Sequence, residues 1–336
     1  MKRVVFLIAL LTSNALQPFV ARAAQGPTKI AAGYASMSAT SAILWAAQDQ
    51  KMLARNGIEA DLVFMPGSPT LIAAINSGAI AVGFTGGTAT LGAAAGGSDF
   101  KILLASHGHI IHDLVTRPEI KEPKDLRGKR IGVTAIGGTA WMAGMLGLEQ
   151  IGLNPDKDNL IVSGFGDMRV TTQALESGTI DAGLISGHYS LGLRRRGYNL
   201  LGDLEKIPLM GSSVVVKNSY MQSNMDFMRR FIRAMMEAHV FVASPANKAT
   251  VVRILAKRLA LSDTGILEDS YQDLARRIDK KPYPSVEAMR NIQRFLAPRN
   301  PKIAQIKAQD LIDDSILREL DKTGYIDRLY AEYNAR

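Results

Sequence analysis

The sequence predicts an α/β protein of two similar lobes, each a mostly parallel sheet flanked by helices. Three observations carry that reading. Residues 75–83 (INSGAIAVG) recur almost letter for letter at 175–183 (LESGTIDAG). A second echo precedes each copy, because 29–34 (KIAAGY) and 129–134 (KRIGVT) both lead through a small-residue loop into a helix, with Gly33 and Thr40 matched by Gly132 and Thr139 at an offset of 99. Around both echoes strands alternate with helices, the pattern of parallel sheets. At 336 residues the chain has room for two such units.

The N-terminus is set apart from this pattern. A basic start, Met1-Lys2-Arg3, precedes the apolar run 4–11 (VVFLIALL), and Ala21-Arg22-Ala23 places small residues at −3 and −1 of a cut after Ala23. That combination predicts a secretory signal peptide over 1–23, since eight apolar residues fall short of the ~20 that a bilayer requires. The first lobe then follows in order: strand 29–34, loop 35–41, a helix to about 55, strand 60–65, turn 66–69, helix 70–77 and strand 80–84. The second repeats it as strand 129–134, loop 135–139, a helix to about 151, strand 160–163, loop 164–167, helix 169–177 and strand 180–185. Ser-Gly closes the second helix of each half because a helix ends well on a residue that tolerates the left-handed conformation. In the tail, 226–243, 246–259 and 285–296 have apolar residues at helical spacing.

Composition narrows the function. There is no cysteine, so no disulfide staples the fold and no lipid anchor can be attached. The expected product is free in the periplasm. Lys2, Arg3 and Arg22 leave with the signal, so the formal charge of +9 falls to +6, a mild excess. No basic-aromatic patch points to nucleic acid, and the run Arg194–Arg196 is expected to be a solvated face. No Ser-His-Asp context, phosphate loop or paired acid–base carboxylates point to catalysis, so neither an enzyme nor a cofactor is expected. HGHIIH (107–112) invites a metal reading, but a transition metal needs about three or four convergent ligands and only Asp113 stands near. His107 is expected near the edge of a cleft.

In parallel sheets a ligand crevice lies at the carboxyl ends of the strands. The segments that fall there are SMSATS (36–41), GSPT (67–70), TGGT (85–88), IGGT (136–139), FGDM (165–168) and SGHY (186–189). They are rich in hydroxyls and bare amides, and several open helices. Helix N-termini offer free N–H groups and a positive dipole end, which suit carboxylate, sulfonate, nitrate or phosphate.

The stretches IAAGY, GSPTLIAAINSGAIAVGFTGG, DLRGKRIGV and TQALESGTIDAG resemble the solute-binding proteins of ABC importers. The resembling branch is the type II periplasmic binding proteins for nitrate, sulfonate and taurine, which includes thiamine-precursor (NMT1/THI5-like) proteins. The resemblance covers essentially the whole chain after the signal. It implies two lobes joined by crossings near 109–117 and 209–217. Lobe 1 would take 24–115, lobe 2 would take 116–211, and 212–336 would return to lobe 1, with the tail helices bracing it. It also implies a monomer that binds a small organic or inorganic anion between closing lobes and delivers it to a permease and ATPase complex. An aromatic or pyrimidine solute, or a periplasmic sensor role, is the alternative.

By position in that family, Ser38, Thr40 and Ser41 would meet the ligand through a hydroxyl and the Thr40–Ser41 amides. Ser68 marks the second loop, where Pro69 supplies no amide. Thr85, Gly86 and Gly87 form the third, with the glycines allowing close backbone approach. From the other lobe Gly138 and Thr139 mirror the first loop, and Ser186 and His188 mirror the third. His188 could donate to an anion or stack on a ring, with binding that changes near its ordinary pKa of about 6.5. Trp141 is expected in the core. Asp167, if it lines the cleft, argues for a ligand with a donor group.

Overall fold

The computed structural model describes residues 26–335, so the signal-peptide reading of 1–23 lies outside the described residues. Two five-stranded sheets form. The first runs in the order β2 (Ile58–Phe64), β1 (Thr28–Tyr34), β3 (Val82–Thr85), β10 (Ser213–Lys217), β4 (Phe100–Ala105). The second runs β7 (Ile161–Gly164), β6 (Arg130–Val133), β8 (Ala182–Ile185), β5 (Asp113–Thr116), β9 (Asn199–Leu200). In the first sheet β1 is parallel to β2 and β3, while β10 is antiparallel to β3 and β4. In the second β6 is parallel to β7 and β8, while β5 is antiparallel to β8 and β9. Each sheet thus takes one antiparallel strand, and it is the strand that has just crossed from the other sheet.

Helices α1 (Ala42–Asp49), α2 (Met52–Arg55), α3 (Ser68–Asn76) and α4 (Gly87–Ala95) belong to the first sheet. Helices α5 (Thr139–Gln150), α6 (Met168–Glu176) and α7 (Gly187–Arg195) belong to the second. The repeated letters have a packing cause. Gly78 and Gly178 end α3 and α6 at φ of 82° and 75°, which a side chain would strain. A Cβ on Gly33 would lie 2.3 Å from Leu71 Cδ1, and one on Gly132 would lie 2.3 Å from Ile180 Cδ1. The glycine in each first strand admits the apolar side chain that covers the sheet.

The chain passes between sheets at 106–112 and 201–212. The spans expected to cross, 109–117 and 209–217, contain β5 and β10 in their second halves. The two crossings zip together: Ser106 N–H donates to Ser212 O at 2.8 Å, Ile110 N–H to Ile207 O at 3.0 Å, and Leu209 N–H to Gly108 O at 2.9 Å. This pairing forms the hinge.

The tail begins with α8 (Asn218–Ser223) and α9 (Met225–Ala243), and α9 packs Phe231, Ile232 and Met235 into the first lobe's core against α1. Helix α10 (Lys248–Leu259) also leans on α1. The next two helices do not stay with the first lobe alone. Helix α11 (Thr264–Arg277), which buries Leu267, Tyr271 and Leu274 at helical spacing, packs on α10 and on α7 of the second lobe. Helix α12 (Val286–Leu296) packs on α4, while its Phe295 meets Trp141 of α5 edge-on at 6.3 Å and its Arg294 pairs with Glu149 through two bonds of 3.0 and 2.7 Å. Among the described residues no helix is long and apolar enough to cross a membrane.

Candidate functional site

Both sheets aim the carboxyl ends of their parallel strands at one cleft, and helices start there. β1 gives way to the loop 35–41, β2 to Gly67 and α3, and β3 to Gly86 and α4. Across the cleft β6 gives way to Gly138 and α5, β7 to Asp167 and α6, and β8 to Ser186 and α7. The starts of α3, α4, α5 and α7 carry no side-chain cap, so their dipole ends face the cleft with first-turn N–H groups to offer, apart from Pro69 in α3, which has none, and Gly87 in α4, whose N–H is taken by Met210 O. Helix α6 differs: Asp167 Oδ1 accepts from Val170 N–H at 2.9 Å.

A cavity of about 60 Å³ lies between these ends. Ser38, Thr40 and Ser41 line it from the first loop, Ser68 from the second, Thr85 and Gly86 from the third, and Thr139 and Ser186 from the other lobe. The hydroxyls of Ser36, Ser38 and Thr40 form a chain with spacings of 2.8 and 2.9 Å. Ser41 turns inward instead, its Oγ donating to Ser36 O at 2.6 Å and its N–H to Ser38 O at 3.1 Å. The Ser41 amide expected to meet a ligand is therefore spent within the loop. Thr85 Oγ1 is buried at the cavity wall without a partner.

Gly87, Gly138 and His188 do not line the cavity. Gly87 N–H donates to Met210 O at 3.2 Å and Gly138 N–H to Ala135 O at 3.1 Å, so both amides are taken. A Cβ on Gly87 would come within 2.5 Å of Met289 Sδ, which makes this glycine a packing residue. His188 is buried in α7 with its ring 3.8 Å from that of Tyr189, and burial lowers its pKa to about 4. A change of binding near pH 6.5 does not follow from it. Trp141 is half-buried against Phe295, outside the cavity.

The sequence left Asp167 open, and it lines the cavity. Met37 lines it from within the 36–41 loop, and Phe64, Ile111, His112 and Ser212 also line it and were not foreseen. Ile111, His112 and Ser212 sit on the crossings, whose nearness to the strand ends was the available signal. His107 lines the cavity and braces the hinge. Its Nδ1 bonds to His109 O at 2.9 Å and its Nε2 accepts from Ser212 N–H at 3.3 Å, which together fix the neutral Nδ1–H form. Burial lowers its pKa to about 3. Its ring fills the space of a side chain on Gly211, where a Cβ would sit 1.7 Å from Cε1. His112 is likewise held neutral, its pKa lowered to about 4 by burial and by the nearby Arg277. Among the described residues no three His, Cys, Asp or Glu side chains converge as metal ligands do.

Charge at the cavity is sparse. Among the described residues that line it, Asp167 is the one carboxylate, and there is no lysine or arginine. Arg277 stands behind, in an adjoining cavity of about 20 Å³ that shares Thr40, His107, Ile111 and Ser186. Its charge is met by Asp273 at 2.7 Å, Asp113 at 3.7 Å and Glu205 at 3.9 Å.

The lobes touch across the cleft. The hydroxyls of Ser68 and Thr139 are 3.2 Å apart, and a Cβ on Gly86 would lie 2.0 Å from Thr139 Oγ1. A Cβ on Gly67 would lie 2.8 Å from Ala135 Cβ. This is a closed arrangement that only small residues permit.

A family model described as NMT1/THI5 like matches residues 38–248. Among solved structures the chain is similar to the alkanesulfonate-binding protein SsuA from Xanthomonas axonopodis pv. citri bound to MOPS, with 20% identity, 86% of this chain and 99% of that one covered, and a TM-score of 0.71. It is similar to the periplasmic aliphatic sulphonate binding protein SsuA from Escherichia coli, with 20% identity, 86% and 92% covered, and a TM-score of 0.65. The periplasmic nitrate-binding protein NrtA from Synechocystis PCC 6803 is similar at 15% identity, 88% and 89% covered, and a TM-score of 0.67. At such identities the likeness establishes the fold, a two-lobed type II periplasmic binding fold. No curated protein matches the sequence.

Proposed function

The chain belongs to the NMT1/THI5-like family, and from that premise we propose that it is the periplasmic solute-binding component of an ABC importer, closing its lobes on a small anion of the sulfonate, nitrate or carboxylate class. The observation that carries the reading is the convergence of four uncapped helix starts, two from each lobe, on one cavity between the lobes. Each start contributes amide donors and a partial positive charge, favourable to an anion by about 0.3–1 kcal/mol. A ligand held from both sides stabilises the closed arrangement, and that form would be the one offered to a permease and ATPase.

A binder fits this cavity better than an enzyme. Both nitrogens of His107 are taken by backbone groups, and Ser38, Thr40 and Ser41 bond to one another or to the loop. No nucleophile there stands beside a base in hydrogen-bond reach among the described residues. Phe64, Phe84 and Met37 line the same cavity, and they favour an aromatic or pyrimidine solute as the second reading.

The test is a thermal-shift screen of protein unfolded and refolded to strip carried ligand, against sulfonates, carboxylates, nitrate, phosphonates and pyrimidines. Ligand at one hundred times Kd stabilises by about 2.7 kcal/mol, which moves a melting curve visibly. Hits confined to one acid group, with the compound recovered unchanged, support the proposal. Hits confined to neutral pyrimidines select the second reading, and turnover of a bound compound refutes the role as a binder.

A further inference from the structure

We infer that His112, the last residue of the first crossing, is a ligand contact that donates its ring Nε2–H to the bound anion from the hinge. The inference rests on the anion reading above and adds the hinge to the two lobes as a third wall that grips the ligand. His112 lines the cavity, yet its ring has no hydrogen-bond partner among the described residues. Nδ1 is buried and unpaired, so Nε2 is the nitrogen that a molecule in the cavity can reach. His107, earlier on the same crossing, shows the contrast, because backbone groups take both of its nitrogens and leave it nothing to offer. A polar ring at a cavity wall with no partner in the protein is explained when the partner arrives with the ligand.

The tautomer follows from the burial of Nδ1. An orphaned buried N–H is avoided in folded proteins, so the proton of the neutral ring sits on Nε2. A second proton would have to go to Nδ1, where it would make that orphan and would add a charge near the Arg277 guanidinium. Burial and that guanidinium hold the pKa of His112 down to about 4. The other titratable groups around it do not reverse this. His107 is itself neutral, and Asp113, Asp273 and Glu205 are turned to Arg277. Asp113 also accepts from Ser190, and Asp167, on the same cavity, caps α6. His112 thus offers an anion a donor without a charge, and binding should take up no proton. A hydrogen bond to a charged partner is worth roughly ten- to hundredfold in affinity.

The experiment is calorimetric titration of the stripped protein with ethanesulfonate, nitrate and propanoate, near neutral pH, in buffers of differing ionisation heat. Whichever probe binds should bind about ten- to hundredfold weaker to His112→Phe, which keeps a ring and loses both nitrogens. His112→Gln, whose amide nitrogen reaches about as far as Nε2, should keep most of the affinity. Neither variant gives up a hydrogen bond of the ligand-free fold, so the melting temperature without ligand should stay close to that of the unaltered protein. A merely structural ring predicts the reverse, a lower melting temperature with an unchanged Kd. In the unaltered protein, ring-nitrogen NMR shifts should place the proton of His112 on Nε2 and move on binding, a readout that stands even if both variants fail to fold. Equal affinity of His112→Phe and the unaltered protein, or a proton taken up on binding that the variant does not take up, overturns the assignment and leaves the anion reading standing. If none of the three probes binds the unaltered protein, the anion reading has failed first and the assignment falls with it.

Discussion

Replacing Gly86 by alanine should weaken ligand binding by opposing closure while leaving each lobe intact. Gly86 has φ −94° and ψ 166°, an extended conformation open to any residue, so alanine adds no backbone strain. The added Cβ would sit 2.0 Å from Thr139 Oγ1 and 3.1 Å from Thr139 Cβ and Cγ2, all on the opposite lobe. Rotating Thr139 away gives up its contact with Ser68 at 3.2 Å and still leaves the crowding at Cβ. Overpacking of this kind costs about 1–3 kcal/mol, paid in the closed form alone because the contact ends when the lobes separate. The apparent Kd should then rise by about 5- to 150-fold. Alanine is also the poorer N-cap for α4, but that penalty of at most about 1 kcal/mol is common to open and closed forms and cancels in their ratio. The assay is calorimetric Kd together with a solution-scattering radius, with and without ligand. Adding Thr139→Ala to Gly86→Ala removes Oγ1 and Cγ2, leaves only the 3.1 Å approach at Cβ, and should recover most of the affinity. An unchanged Kd and unchanged ligand-induced compaction in Gly86→Ala would refute the view that these two residues meet in the bound state.

Thr139→Pro should weaken anion binding by about tenfold with little loss of stability, whereas Thr139→Val should cost less. Proline is tolerated at the first helical position, and Gly138 already has the extended backbone that a following proline requires, so paired titrations separate the amide from the hydroxyl. His107→Phe keeps a ring but leaves His109 O and Ser212 N–H unpaired, which should cost about 1–3 kcal/mol and speed hydrogen exchange at Ser212. His107, His112, His188 and His239 are neutral in the fold with pKa values lowered to about 3, 4, 4 and 4, against about 6.5 unfolded. The unfolded chain thus binds more protons below pH 6.5, and stability should fall as pH drops from about 6.5 toward 4, by about 2 kcal/mol per histidine at pH 5. Asp113 and Asp279, raised by burial, oppose part of that loss; urea midpoints from pH 7 to 4.5 measure the balance.

The two-lobed plan was legible because the repeat records packing rules. Gly78 and Gly178 are needed for left-handed helix ends, and Gly33 and Gly132 for close approach, so the same letters return wherever the same contact does. Ser38, Thr40, Ser68, Thr85, Gly86, Thr139 and Ser186 were legible for a related reason: strand ends in parallel sheets converge, and small polar residues collect there. Gly87 and Gly138 misled because a glycine in a loop does not tell whether its amide points outward. Met210 O and Ala135 O take those two amides, and the first of these carbonyls lies more than a hundred residues away. His107 carried no local sign of its partner Ser212, since the pairing of the crossings is a property of the closed chain. Helix α11 carries an apolar stripe at Leu267, Tyr271 and Leu274, but nothing in that stripe tells that the helix touches both lobes.

Those contacts bear on how closure is balanced. Helix α11 reaches the second lobe through Arg195, which pairs with Asp269 at 2.6 Å, and α12 reaches it through Arg294 and Glu149 at 2.7 Å. All four side chains are close to half exposed, so each pair is worth at most about 1 kcal/mol and less in salt. Pairs of that strength add little to the packing of α11 on α7 and of Phe295 on Trp141, which joins the lobes on the two flanks. The close approaches at Gly67 and Gly86 add little attraction of their own, because a glycine offers no side chain to bury. The uncapped helix ends and Thr85 Oγ1 are among the polar groups that the closed cleft still leaves for a ligand to satisfy. On the proposed reading, closure is coupled to occupancy through backbone amides and hydroxyls at the cleft, while the ion pairs on either side add little to the contacts that join the lobes.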